Sequence, residues 1–121
     1  MKRLALAIAL ATSPLAALAD EVTAADWAAV AQPAFAEGTY GPRFIVVGKT
    51  MGCFDEEGFT VCGVDGEGLQ FLSSYGSVTP EAILDLIGKL PVGTEVELWG
   101  DVVSENGTRM EAIFSAVLPP M

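Results

Sequence analysis

The chain has no histidine among its 121 residues. That removes the usual general base of Ser-His and Cys-His couples and the imidazole ligands of catalytic zinc. The serines do not compensate, because Ser73-Ser74-Tyr75-Gly76 lacks the nucleophile-elbow spacing and no SxxK tract is present. Basic residues are scarce as well, with six Lys and Arg against sixteen Asp and Glu. Phosphate backbones are bound by neutralising them with Lys and Arg, so nucleic acid is not expected as a partner, and anionic lipid surfaces are disfavoured for the same reason. With so many carboxylates some close pair is inevitable, so two neighbouring acids are no argument for a glycosidase. Neither an enzyme nor a cofactor is expected.

A long apolar run occurs only at the start. Lys2 and Arg3 precede an Ala/Leu-rich stretch from Leu4 to Leu18, and Ala17-Leu18-Ala19 supplies the small-x-small pattern of a cleavage site. The reading is a signal peptide over 1–19, cleaved after Ala19, giving a periplasmic or secreted protein with no membrane insertion afterwards. Cleavage removes two basic residues and no acid. The 102 residues that remain carry a formal net charge of −12, enough chain for one small core.

Residues 20–42 read as a short helix over 23–32, with Thr23 and Asp26 in a capping box, Trp27 as its anchor and Pro33 as its stop, followed by an irregular segment carrying Phe35 and Tyr40. From 43 to 121 the pattern is three strands, a helix and two strands. Arg43 to Phe54 opens with FIVV, and Gly48 and Gly52 are expected bulges. Turns at Asp55-Glu56-Glu57-Gly58 and Asp65-Gly66-Glu67-Gly68 bracket a strand from Phe59 to Val64, and Leu69 to Ser73 follows. Thr79 is the expected helix cap, with Pro80 at the first helical position and Ile83, Leu86, Ile87 and Leu90 forming an apolar stripe. In the fourth strand Val96, Leu98, Gly100 and Val102 should face inward, and Glu95, Glu97, Trp99 and Asp101 outward. Asn106-Gly107 marks a hairpin. In the last strand Met110, Ala112, Phe114 and Ala116 are the expected inward set. This order predicts an all-β domain with one inserted helix, a five-stranded OB-like Greek-key barrel (β-β-β-α-β-β) preceded by a short N-terminal helix.

Cys53 and Cys62 are the only cysteines. If Glu57-Gly58 is a two-residue loop, Glu56 faces Phe59 and Cys53 lies opposite Cys62, so an exported chain should join them. A redox-active pair would take a CxxC at a helix start, and here eight residues intervene. The acidic turns, Asp55-Glu56-Glu57 and Asp65 with Glu67, lack EF-hand spacing and lie at opposite ends of one strand, which makes them solvated turns and not a metal site.

FTVCGVDGEGLQFL resembles the second and third strands of exported bacterial OB-fold proteins, and VGTEVELWGDVVSENGTRMEAIFSAV resembles their last hairpin. The family it resembles is the bacterial OB-fold group of periplasmic stress-response proteins. The resemblance implies binding of a small ligand or a protein and no catalysis. On that footing the expected function is a non-catalytic binding module using the outer face of strands two and three, with Thr60, Gln70 and Tyr75 as ligand contacts and Trp99 either an aromatic platform or covered by Trp27, Phe35 or Tyr40 of the N-terminal segment. The acidic field favours a basic periplasmic protein or a neutral glycan as partner. The alternative is an acidic inhibitory or envelope-stress protein that blocks a basic hydrolase through the Cys53–Cys62 hairpin, presenting Phe54, Glu56, Glu57 and Phe59.

Overall fold

A computed structural model describes residues 26–27, 30, 32–38 and 40–120. The signal-peptide reading over 1–19 and the cap at Thr23 lie outside the described residues. Asp26, Trp27 and Val30 are helical, and Trp27 packs against the core. The barrel consists of β1 (Arg43–Glu56), β2 (Phe59–Gly66), β3 (Leu69–Ser74), α1 (Glu81–Lys89), β4 (Glu95–Asn106) and β5 (Arg109–Leu118). The strands close in the order β1-β2-β3-β5-β4, with β3 and β5 parallel and every other pair antiparallel. That is the five-stranded Greek-key barrel of the OB fold.

β1 serves both halves of the barrel. Arg43 to Lys49 pair with β4, and Lys49 to Glu56 pair with β2. The strand can change partners because the register slips between Thr50 and Gly52, where Gly52 takes a φ of 77° that side chains rarely adopt. Gly48, also an expected bulge, stays in the ladder. It is glycine because β1 crosses β2 so closely that a Cβ would stand 2.5 Å from the Asp65 carbonyl oxygen.

The β1–β2 and β2–β3 loops each hold two residues. Glu57 and Glu67 sit at φ of 50° and 55°, each followed by a glycine with positive φ, the pattern of a type I′ turn. Glu56 therefore pairs with Phe59, and Cys53 with Cys62, their Cα atoms 4.0 Å apart and the sulfurs bonded. A disulfide of this kind belongs to an oxidising compartment. The β4–β5 loop is Gly107-Thr108, one residue later than Asn106-Gly107, because Asn106 stays in the ladder opposite Arg109.

Phe114, Leu98, Val64, Val96 and Val117 are wholly buried inside the barrel, and Phe44 stacks on Phe71 at 4.4 Å. α1 closes one end through Ile83, Leu84, Leu86 and Ile87 and lies over the disulfide, both sulfurs being 3.7 Å from the Leu84 carbonyl oxygen. One inward set differs from simple alternation. The β4–β5 register slips between Trp99 and Gly100, leaving Ser115 as an extra residue, so Val117 and not Ala116 joins the core cluster. Asp101 keeps its expected outward place, opposite Ile113, yet is only 1% exposed because the segment before β1 covers it, and its Oδ2 accepts the Tyr40 N–H at 3.2 Å.

Thr79 does not cap α1. Pro80 holds the N-cap position, and no side-chain hydrogen bond caps the helix. The Thr79 hydroxyl is buried, lies 2.6 Å from the Ser73 hydroxyl and accepts the Phe114 N–H at 3.0 Å, so it ties the helix entrance to β3 and β5. Thr79→Val should therefore cost about 1–3 kcal/mol by leaving a buried N–H unpaired. Thr79→Asp, favourable at an N-cap, should cost at least as much because it buries a charge. Urea midpoints check both, and a neutral Thr79→Asp would contradict the assignment. Reducing the disulfide should remove roughly 2–3 kcal/mol by releasing a short loop in the unfolded chain, read as a lower midpoint in the Cys53→Ser, Cys62→Ser double variant.

Candidate functional site

The outer face of β2, β3 and β5 holds a cleft of about 400 Å³, bounded by the β1–β2 turn on one side and the β4–β5 hairpin on the other. The alternation of three strands builds it. Val61 on β2, Leu72 on β3 and Ile113 on β5 point away from the barrel core yet are at least nine-tenths buried, because they pack together as the cleft floor. Phe59 and Val103 stand on opposite rims and are 62% and 53% exposed. An apolar floor with apolar groups held open to solvent is the composition of a binding site, since such groups gain free energy only when something covers them.

The polar lining comes from both hairpins. Glu56 and Glu57 belong to the first, and Arg109 and Glu111 to β5. Arg109 donates to Glu56 Oε1 and bridges the two walls. That hydrogen bond, opposed next by burial and then assisted by the charges of Glu56, Glu111 and Glu57, holds the guanidinium more firmly protonated than usual. Hydroxyls close the far end. Ser77 donates to the Ser74 carbonyl oxygen at 2.6 Å, and Ser73 is engaged with Thr79 and Ser77. No three carboxylates converge closely enough to hold a metal ion among the described residues.

Of the residues expected from sequence, Glu56, Glu57 and Phe59 line this cleft and Phe54 does not. The hairpin read as a free-standing wedge is thus one wall of a groove on the face read as the ligand surface. Gln70 sits in the ladder between Asp65 and Arg109, outside the lining. Thr60 donates to Asp55 Oδ1 at 3.3 Å, and Tyr75 turns to α1, where its hydroxyl donates to Asp85. Trp99 lies on the other side of the barrel. Phe35 covers it with ring centroids 5.1 Å apart, Arg43 stacks over Phe35 at 4.7 Å, and its indole N–H donates to Glu97 at 2.7 Å.

Sequence reasoning missed Val103, Arg109, Glu111 and Ile113. The signal was available, because Arg109, Glu111 and Ile113 are the complement of the inward set Met110, Ala112 and Phe114, and β5 follows β3 in the ring order.

No family model matches the chain. No curated protein matches it either. Among solved structures, an OBody, NL8, bound to hen egg-white lysozyme has a TM-score of 0.47 and 18% identity, covering 64% of this chain and 91% of its own. A putative aspartyl-tRNA synthetase from Leishmania major Friedlin has a TM-score of 0.46 and 13% identity over 85% of this chain. This chain spans a quarter of the synthetase's length.

Tyr75 offers a titration that reports on the junction of β3 and α1. Its phenol is pushed up to about 12, by burial first, then by the hydrogen bond to Asp85 and the charges of Asp85 and Glu81. The folded state therefore favours the neutral phenol. Its stabilising contribution is complete below pH 10 and is lost as the pH rises from 10 towards 12. Tyr75→Phe should flatten the fall of stability across that window, measured as urea midpoint against pH. Equal slopes in both proteins would contradict the assignment.

Proposed function

We propose that the protein is a non-catalytic binding module of OB type, working outside the cytoplasm, that takes a polypeptide partner in the cleft between its two hairpins. The carrying observation is the floor of Val61, Leu72 and Ile113 between the exposed Phe59 and Val103. Aliphatic floors fit side-chain anchors, which bury apolar area without demanding hydrogen bonds. A glycan would need aromatic stacking and free hydroxyl or amide partners. Here Trp99 is occupied by Phe35 and the serines are engaged with one another.

A non-catalytic role is supported by the chain's lack of histidine and by the pairing of the cleft's one arginine with Glu56. An extracytoplasmic role is supported by the disulfide and by the leader-like run over 1–19. Kinship with periplasmic stress-response OB proteins belongs to the same proposal and is supported by the resemblance of FTVCGVDGEGLQFL and VGTEVELWGDVVSENGTRMEAIFSAV to their strands. Blocking a basic hydrolase is one use of such a surface, favoured by Phe59 and Glu57 standing together on the rim.

The test is capture from a periplasmic extract by the immobilised oxidised protein, beside the Phe59→Ala, Val103→Ala and the Ile45→Ala, Val47→Ala double variants. Ile45 and Val47 are exposed apolar residues of β1, outside the cleft. Loss of two rim anchors should lower recovery of the partner by roughly tenfold or more, and the β1 variant should capture like the parent. The opposite ranking would contradict the proposal.

A further inference from the structure

We infer that the cleft accepts a cationic polypeptide segment, an apolar side chain flanked by arginine or lysine, and that Arg109 occupies the place an incoming guanidinium takes. This rests on the cleft being the binding site and adds the chemistry of its ligand.

The lining holds three carboxylates, Glu56, Glu57 and Glu111, and a single cation, Arg109. Arg109 is bound to Glu56, so the rim presents a net surplus of negative charge around an apolar floor. The whole chain adds to it, at −10 formally and −12 after loss of the leader. An anionic ligand is repelled by this field and a neutral one gains nothing from it. A cationic segment is steered towards the cleft and held at its rim while its apolar side chain sits on the floor and covers Phe59 and Val103.

Glu56 terminates β1 and Arg109 begins β5, so their ion pair joins the two walls across the cleft mouth. Both side chains are about one-third exposed, at 35% for Arg109 and 34% for Glu56. A pair so open to water is weakly held and exchanges readily. An incoming guanidinium that takes Glu56 leaves ion pairing in balance, while Arg109 turns out to solvent and keeps its charge hydrated. The apolar contact beneath and the surplus carboxylates supply the net attraction. Arg109 is thus a specificity-determining residue, displaced by the cation that takes Glu56.

The test titrates three end-capped synthetic peptides, RLRLR, QLQLQ and ELELE, into the isotope-labelled oxidised protein and follows the amides of Phe59, Val61, Ser74 and Ile113 by NMR. RLRLR should move these amides with an affinity that falls steeply with salt, and the other two should bind at least about tenfold more weakly. Arg109→Ala should tighten RLRLR binding by roughly tenfold at low salt. Lys49→Ala makes the same change in net charge outside the cleft and should alter it by less than about twofold. Glu56→Gln with Glu111→Gln, which leaves the backbone and side-chain shapes unchanged, should weaken it. Equal tightening by Lys49→Ala would assign the effect to the overall field and overturn the proposal. Equal binding of QLQLQ at the same amides would overturn the cationic preference and leave the cleft as a binding site. Shifts confined to Ile45 and Val47 would overturn both readings. No shift with any peptide would overturn the cationic-ligand proposal, while capture by the Phe59→Ala, Val103→Ala variant would still decide the cleft.

Discussion

The register of the β1–β2 hairpin is the constraint on which the rest of the structure depends. Strand side chains alternate between faces, so a slip of one residue would send Phe59 and Val61 into the barrel and Cys62 and Val64 out of it. Two devices oppose that slip. The type I′ turn at Glu57-Gly58 admits a single pairing, Glu56 with Phe59, and the disulfide three pairs further along secures it covalently. α1 lies on the disulfide through Leu84, and Gly88 gives it room, since a Cβ there would come within 3.1 Å of the Cys53 sulfur. Helix packing, strand register and the wall of the cleft are thereby one mechanical unit.

Closure of the barrel imposes the second condition. Five strands enclose so small a core only if long strands bend, and the register slips in β1 and in β4–β5 do this. Their consequences reach the surface. The slip near Trp99 sets Ser115 out of the ladder beside the outward Asp101, and the segment before β1 attaches to both, through the Ala36 and Tyr40 N–H groups. Phe35 then covers Trp99. One outer face of the barrel is occupied by the chain itself, and the face across β2, β3 and β5 is left open with its apolar floor. Acidic side chains at the rim of this face, Glu56, Glu57 and Glu111, surround that floor in a chain whose formal net charge is −10.

Much of this was legible in the sequence because local rules governed it. Glu57-Gly58 implied the loop length, the loop implied the pairing of Cys53 with Cys62, and strand and helix order implied the barrel. The misreadings share a cause, in that each concerned a residue whose role is set by a distant strand. Thr79 has the chemistry of a cap, but it serves Phe114 and Ser73 instead. Gly48 reads as a bulge and is a crossing point against Asp65. Ala116 follows an alternation that Ser115 interrupts, and a bulge leaves no mark in hydrophobic periodicity. The first wall of the cleft was readable because it is a hairpin. The second was not, because Arg109, Glu111 and Val103 meet it only through closure of the ring.

The central claim is that the uncovered face between the hairpins is where a partner sits. Amide hydrogen exchange of the protein alone and in complex with a partner captured by the immobilised protein tests it most directly, because the fold presents two apolar faces to choose between. Added protection over 59–61, 72–74 and 109–113, with β1 unchanged over 43–47, is the predicted footprint. Protection confined to 43–47 and the facing part of β4, with the cleft amides exchanging as in the free protein, would contradict it.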